Sequence, residues 1–292
     1  MKKEIENLEV SNSMDIKRVL TSVLGLPLVI VILVFGNETI IDIFFAIVAL
    51  IAIREYFGAF EKSKKAKPVK WIGYLIAISI AVLRLFHLES TLVDVDTDMI
   101  NMMFCLVIFS VFIVFFHILN SGMKTSIIDG AVTVFGILYV PVMIIFLPII
   151  YSQKNGEILI WYVIICGWTT DIFAYLAGKI LNNRKHKFSK ISPNKSIEGC
   201  IAGAIGAVIV SLIYTVICNT YFFTNISYIY IILISLLLSI IGQIGDFAAS
   251  SIKRYNEIKD YGNLIPGHGG ILDRIDSILF IAPVAYILLM NI

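Results

Sequence analysis

The chain has 292 residues, 59% of them hydrophobic and 15% charged, with a formal net charge of +2. A soluble domain is roughly 45–50% apolar and about 25% charged, so composition excludes an ordinary water-soluble fold and makes the bilayer part of the solvent. The near-neutral balance gives no electrostatic footprint for nucleic acid. The four cysteines (Cys105, Cys166, Cys200, Cys218) form neither a CxxC motif nor a Cys/His pairing, which leaves a disulfide framework and a zinc site without support.

In chain order, nine stretches read as spanning helices, given that a span needs roughly 20 mostly apolar residues. They are Val19–Gly36, Thr39–Ile53, Trp71–Leu85, Met99–Leu119, Gly130–Tyr151, Ile158–Leu181, Gly199–Val216, Tyr228–Asp246 and Leu272–Met290. The first follows Lys17 and Arg18 as a signal segment would, but it is long and lacks a small-residue cleavage site, so it reads as a retained span. The fold expected is an all-α polytopic membrane protein. Residues 1–150 form an N-terminal transmembrane region of about five spans, and residues 151–292 a C-terminal catalytic region with two polar loops.

Basic residues set the orientation. With the N-terminus in the cytoplasm, all but Arg84 and Lys154 of the 23 Lys and Arg fall on the cytoplasmic side, a strong positive-inside bias. Nine spans then put the C-terminus outside. The location expected is the cell (plasma) membrane, with both polar loops facing the cytoplasm.

The first polar loop runs from Asp171 to Gly199. Asp171, Tyr175 and Gly178 (i, i+4, i+7) share a face of the sixth span. The turn SPNKSIEG places Ser192, Asn194, Ser196 and Glu198 around Lys195, a natural contact for a triphosphate. Arg184, Lys185, Lys187 and Lys190 read better as topology markers that also attract anionic lipid.

The second runs from Asp246 to Asp276. Asp246 lies near the cytoplasmic end of its span, with Ser250, Lys253 and Arg254 on the same face. An ionisable group at that depth is costly and points to function, although a salt bridge at a helix end would also account for it. The sequence LIPGHGGILDRID follows. Its Pro266, Gly267, Gly269 and Gly270 make a side-chain-poor turn before a helix, where backbone N–H groups can approach phosphate oxygens. Asp273 and Asp276 follow on the first helical turn, and they could equally offset the helix dipole. Carboxylates, cations and a glycine turn together suit phosphoryl or nucleotidyl transfer, which needs divalent metal and positioning more than covalent chemistry. The chain has no Walker loop and no GxSxG elbow.

The stretch SSIKRYNEIKDYGNLIPGHGGILDRID, Ser250–Asp276, resembles the signature of the phosphatidate cytidylyltransferases (CDP-diglyceride synthetases). It matches at Ser250, Lys253, Arg254, Lys259, Asp260, Gly262, Pro266, His268, Gly269, Gly270, Asp273, Arg274 and Asp276. Asp171, Ala174, Tyr175, Gly178 and SPNKSIEG resemble the family as well, with Ser196 where it often has threonine, whereas the first 150 residues match only as hydrophobic spans. The resemblance implies that phosphatidate attacks the α-phosphorus of CTP, giving CDP-diacylglycerol and pyrophosphate. It implies Mg²⁺, two ions by the paired-metal pattern, held by Asp246 and Asp273. It casts Lys253, Arg254, Lys259, Asp260, His268 and Asp276 as catalytic. Asp171, Tyr175, Ser192, Asn194, Lys195, Ser196, Ser250, Gly269, Gly270 and Arg274 would bind substrate. It also admits a homodimer, which nothing in the spans requires. The alternatives are a CTP-dependent lipid kinase, which would transfer the γ-phosphate, and a transporter with Asp171 and Asp246 as ion ligands, which would want those acids at the bilayer midplane.

Overall fold

The computed structural model describes residue 25 and residues 27–87, 95–122, 124–180, 195–222, 224–264 and 269–289. Its regular elements are helices, and they fall into two compact units. The chain enters the second unit at Val142, returns to the first for Asn256–Arg274, and ends in the second.

The first unit contains α1 (Glu38–Ser63), α2 (Lys70–His87), α3 (Val95–Asn120) and α4 (Ile127–Tyr139), together with Asn256–Arg274. Asn37 caps α1 by accepting the Ile40 N–H at 2.9 Å, and Lys64 ends it in the left-handed region at φ 58°. At 26 residues α1 is about 39 Å long, and it continues ten residues past the expected end at Ile53. The apolar face continues with it. Tyr56, Phe57 and Phe60 are buried, and a Cβ at Gly136 of α4 would stand 2.7 Å from the Tyr56 ring. The Ser126–Asp129 capping box starts α4. Asp42 of α1 and Arg84 of α2, 5% and 2% exposed, form a buried ion pair at 2.9 Å.

The second unit contains α6 (Phe146–Tyr151), α7 (Gly156–Ile180), α8 (Ile197–Tyr221), α9 (Tyr228–Tyr255) and, from Ile275 on, α10 (Leu272–Leu289). The short α5 (Pro141–Ile144) leads into it. Small residues let its backbones close up, as in membrane helix pairs generally. Gly199, Gly203 and Gly206 put one face of α8 against α7, where a Cβ on Gly203 would lie 2.7 Å from the Thr170 carbonyl oxygen. Gly245 does the same for α9 and α10, with the Asp276 carbonyl oxygen 2.8 Å away. Hydroxyls bridge the interior: Tyr162 to Thr215 at 2.9 Å and Thr170 to Ser239 at 2.7 Å.

Five described helical segments are long and apolar enough to cross a membrane: Ile100–Asn120, Ile127–Tyr151, Gly156–Ile180, Ile197–Tyr221 and Tyr228–Tyr255. Four run unbroken. The Ile127–Tyr151 segment is interrupted at Val140 and Ile145, beside Pro141 and Pro148, which cannot donate to a helical ladder. The expected stretches Thr39–Ile53 and Trp71–Leu85 lie inside α1 and α2, and most of Leu272–Met290 is α10. The first expected stretch is described at residue 25 and from residue 27 on, where residues 27–35 are helical and Gly36 is not.

Candidate active site

In the second unit the expected acids and lysines of three helices come together. Lys195, just before α8, forms an ion pair with Asp246 Oδ2 of α9, and its ammonium lies 4.6 Å from the centre of the Phe247 ring. Ser250, one turn on from Asp246, donates to Asp246 Oδ1 at 3.5 Å. Lys253, a further turn fraction along, stands 3.8 Å from Asp276 Oδ2 on α10. Asp276 is 7% exposed, and the charges acting on it are Asp246, Lys253 and Asp171. The Ser277 N–H donates to Asp276 Oδ1 at 2.9 Å, and the Ser277 hydroxyl reaches Asp171 Oδ2 at 3.4 Å. Three carboxylates thus share one end of the unit with two ammonium groups.

This donor set is made of oxygens, which suits a hard divalent cation such as Mg²⁺. Among the described residues no three ligating side chains already converge on a metal position. Lys195 and Lys253 pair with two of these carboxylates, Asp246 and Asp276.

In the first unit the loop that carries the glycines is braced by carboxylates. Asp273 Oδ2 accepts the N–H groups of Tyr261 at 2.8 Å and Gly270 at 3.0 Å. Glu55, two residues past the expected end of the second span, accepts the Ile271 N–H through Oε1 at 3.1 Å and the Leu272 N–H through Oε2 at 2.8 Å. Burial pushes the Glu55 carboxyl above its ordinary value, and the Leu272 and Ile271 N–H groups pull it back in part. Gly269 has φ +84°, a backbone conformation that glycine adopts freely. A Cβ at Gly262 or Gly270 would run into the Glu55 carboxylate. The amides at 270–272, which the sequence offered to phosphate, are therefore engaged by protein carboxylates, and the glycines there make room for Glu55.

The remaining expected residues divide as follows. Ser196 is the N-cap of α8, its hydroxyl accepting the Gly199 N–H at 3.1 Å. Tyr175, Arg254, Lys259, Asp260 and Arg274 are exposed. Ser192, Asn194 and His268, with Pro266 and Gly267, lie outside the described residues. Sequence reasoning missed Glu55 and Ser277. The available signal for Glu55 was a carboxylate standing next to Arg54 at the start of a lysine-rich segment.

Residues 16–292 match the model of the cytidylyltransferase family. The chain is 33% identical over 273 residues to the phosphatidate cytidylyltransferase of Bacillus subtilis (strain 168), covering 94% of this chain and 97% of the relative. It is 34% identical over 278 residues to that of Staphylococcus aureus (strain COL), covering 94% and 98%. It is 32% identical over 275 residues to that of Staphylococcus haemolyticus (strain JCSC1435), again covering 94% and 98%.

Proposed function

The chain belongs to the cytidylyltransferase family, and from that premise we propose that it is a phosphatidate cytidylyltransferase acting at the cytoplasmic face of the cell membrane. It transfers CMP from CTP to phosphatidate for phospholipid synthesis. The observation that carries this reading to particular residues is the pairing of Lys195 with Asp246 and Lys253 with Asp276 at one end of the second unit. Those ammonium groups are the cations that a triphosphate needs, and the carboxylates keep them in place until it arrives.

In the reaction a phosphate oxygen of phosphatidate attacks the α-phosphorus of CTP. A new P–O bond forms, the bond from the α-phosphorus to the bridging oxygen breaks, and pyrophosphate leaves with that electron pair. Lys195 turns from Asp246 to the triphosphate, and Ser192, Asn194 and Ser196 are assigned to the same substrate. Lys253 and Arg254 balance charge on the reacting phosphates, and Asp276 keeps the Lys253 ammonium aimed. Asp171, Tyr175, Ser250 and Arg274 complete the substrate contacts, while Lys259, Asp260 and His268 support the transfer. Asp246 and Asp273 are the proposed ligands of Mg²⁺, which when bound neutralises phosphate charge and steadies the attacking and leaving oxygens.

We read nine spans, with the N-terminus in the cytoplasm and the C-terminus outside. The distribution of Lys and Arg supports this, as do the lengths of α1 and α10, 26 and 18 residues. Labelling of single cysteines placed near Lys190 and near Asn155 is expected to report opposite sides of the membrane.

The activity is tested on purified protein in detergent with Mg²⁺, phosphatidate and CTP carrying separate labels on cytidine and on the γ-phosphate. Cytidine label in lipid, with pyrophosphate released in equal amount, is the expected result. γ-Phosphate label in lipid would make the protein a lipid kinase.

A further inference from the structure

We infer that Glu55 is a positioning residue for the transfer reaction, and that the glycines at 262 and 270 are there to admit its carboxylate. This rests on the proposed assignment of Asp273 and its neighbours to the active site. Three observations carry it, all within the first unit.

The first is the pair of bonds from the Ile271 and Leu272 N–H groups to the two oxygens of Glu55, 216 and 217 residues away in sequence. A helix start leaves its first N–H groups without helical partners, and a carboxylate there also meets the favourable end of the helix dipole. Glu55 thereby fixes where α10 begins, one residue before Asp273. The second is steric. Gly262 and Gly270 approach the Glu55 carboxylate so closely that neither position has room for a Cβ. The loop is wrapped on this side chain from two places, one on each side of Gly269. The third is that the rest of the same helix end holds the start of the loop. Ser63 donates to Asn256 Oδ1 at 2.7 Å, and Lys65 pairs with Glu257 at 3.0 Å. Asn256 is 1% exposed. The end of α1 therefore grips the segment 256–274 at both ends, and Glu55 supplies the grip nearest Asp273.

Asp273 is held in turn by the loop, through the Tyr261 and Gly270 N–H groups. Moving Gly270 moves a donor that aims the Asp273 carboxylate. Small misplacements of this kind cost up to about 100-fold in rate without touching the reacting atoms.

The test is a double-mutant cycle on the full-length protein in detergent. Glu55→Ala removes the acceptor, Gly270→Ala drives a methyl group into it, and a third protein carries both changes. For each, kcat, KM for CTP, melting temperature and amide exchange over residues 269–274 are measured. Each single change is expected to lower kcat about 10- to 100-fold, with KM for CTP changed less than about threefold and faster exchange at Ile271 and Leu272. Because both changes break the same contact, the double variant is expected to be no slower than the worse single. Glu55→Gln keeps the volume but only one acceptor oxygen, and it is expected to recover part of kcat; it also decides the matter if Glu55→Ala melts too early to assay. Multiplying losses in the double variant would overturn the inference, as would Glu55→Gln and Glu55→Ala with wild-type kcat. Asp273→Asn, assayed alongside, separates the two levels. Full activity in that variant would refute the assignment of Asp273 to the site, whereas the coupling between Glu55 and Gly270 reports on the positioning contact itself.

Discussion

The two units neutralise their carboxylates in different ways. In the second, Asp246 and Asp276 face the ammonium groups of Lys195 and Lys253. In the first, Asp273 and Glu55 face backbone N–H groups of the loop they shape. A lysine has a long stem and a point charge that can turn to a phosphate and return. An amide cannot leave without unwinding the chain that carries it. On the proposed function, the acids partnered by lysine exchange with substrate and ion, whereas Asp273, its Oδ2 held by amides, would meet the ion from a fixed position and Glu55 holds the shape of the loop.

That contrast can be broken most directly at Asp276. Three carboxylates meet two ammonium groups in the second unit, so Asp276→Asn relieves repulsion while removing the charge proposed to aim Lys253. Turnover is expected to fall about a thousandfold, with a melting temperature equal to or above that of the parent. A fall in melting temperature with turnover preserved would make Asp276 a structural ion-pair partner. Lys195→Ala is expected to have the next largest effect. Loss of one charged donor to a reacting phosphate costs on the order of 100-fold, here in kcat/KM for CTP, with KM for phosphatidate little changed. Equal losses toward both substrates would take Lys195 out of the triphosphate contact. The smallest effect on chemistry is expected at Gly206, which touches neither kind of acid. Its Cβ position lies 2.8 Å from the Phe173 Cβ, so Gly206→Val overpacks the α7–α8 contact. Overpacking costs about 1–3 kcal/mol, read as a lower melting temperature, while turnover per folded molecule stays at the parent level.

The apolar cores of the long helices were legible because hydropathy is a local signal, and Gly156–Ile180 begins and ends within two residues of the expected span. What escaped was helix beyond the apolar runs. Arg54–Ser63 and Phe247–Tyr255 carry too many polar residues to extend an apolar run, yet both continue their helices. The breaks beside Pro141 and Pro148 were hidden for the opposite reason, since apolar composition runs straight through them. In the candidate site, residue types were legible but partners were not. Lys195 and Asp246 could each be named from sequence, but their pairing depends on how α8 and α9 pack. Glu55 was missed because its partners are amides, which carry no residue identity. The glycine turn points to a close approach of phosphate at Gly270, where the structure instead brings the Glu55 carboxylate.

The central claim is that Asp246 is chemically employed and its pairing with Lys195 a resting state. Asp246→Asn keeps size and most hydrogen bonding but removes the charge available to a divalent cation. The measurement is CDP-diacylglycerol formed from cytidine-labelled CTP and phosphatidate by the purified variant, titrated with Mg²⁺, with melting temperature recorded on the same sample. Turnover lowered by about three orders of magnitude at every Mg²⁺ concentration, in a protein that melts like the parent, is the expected result. Near-parental synthesis at saturating Mg²⁺ would contradict it.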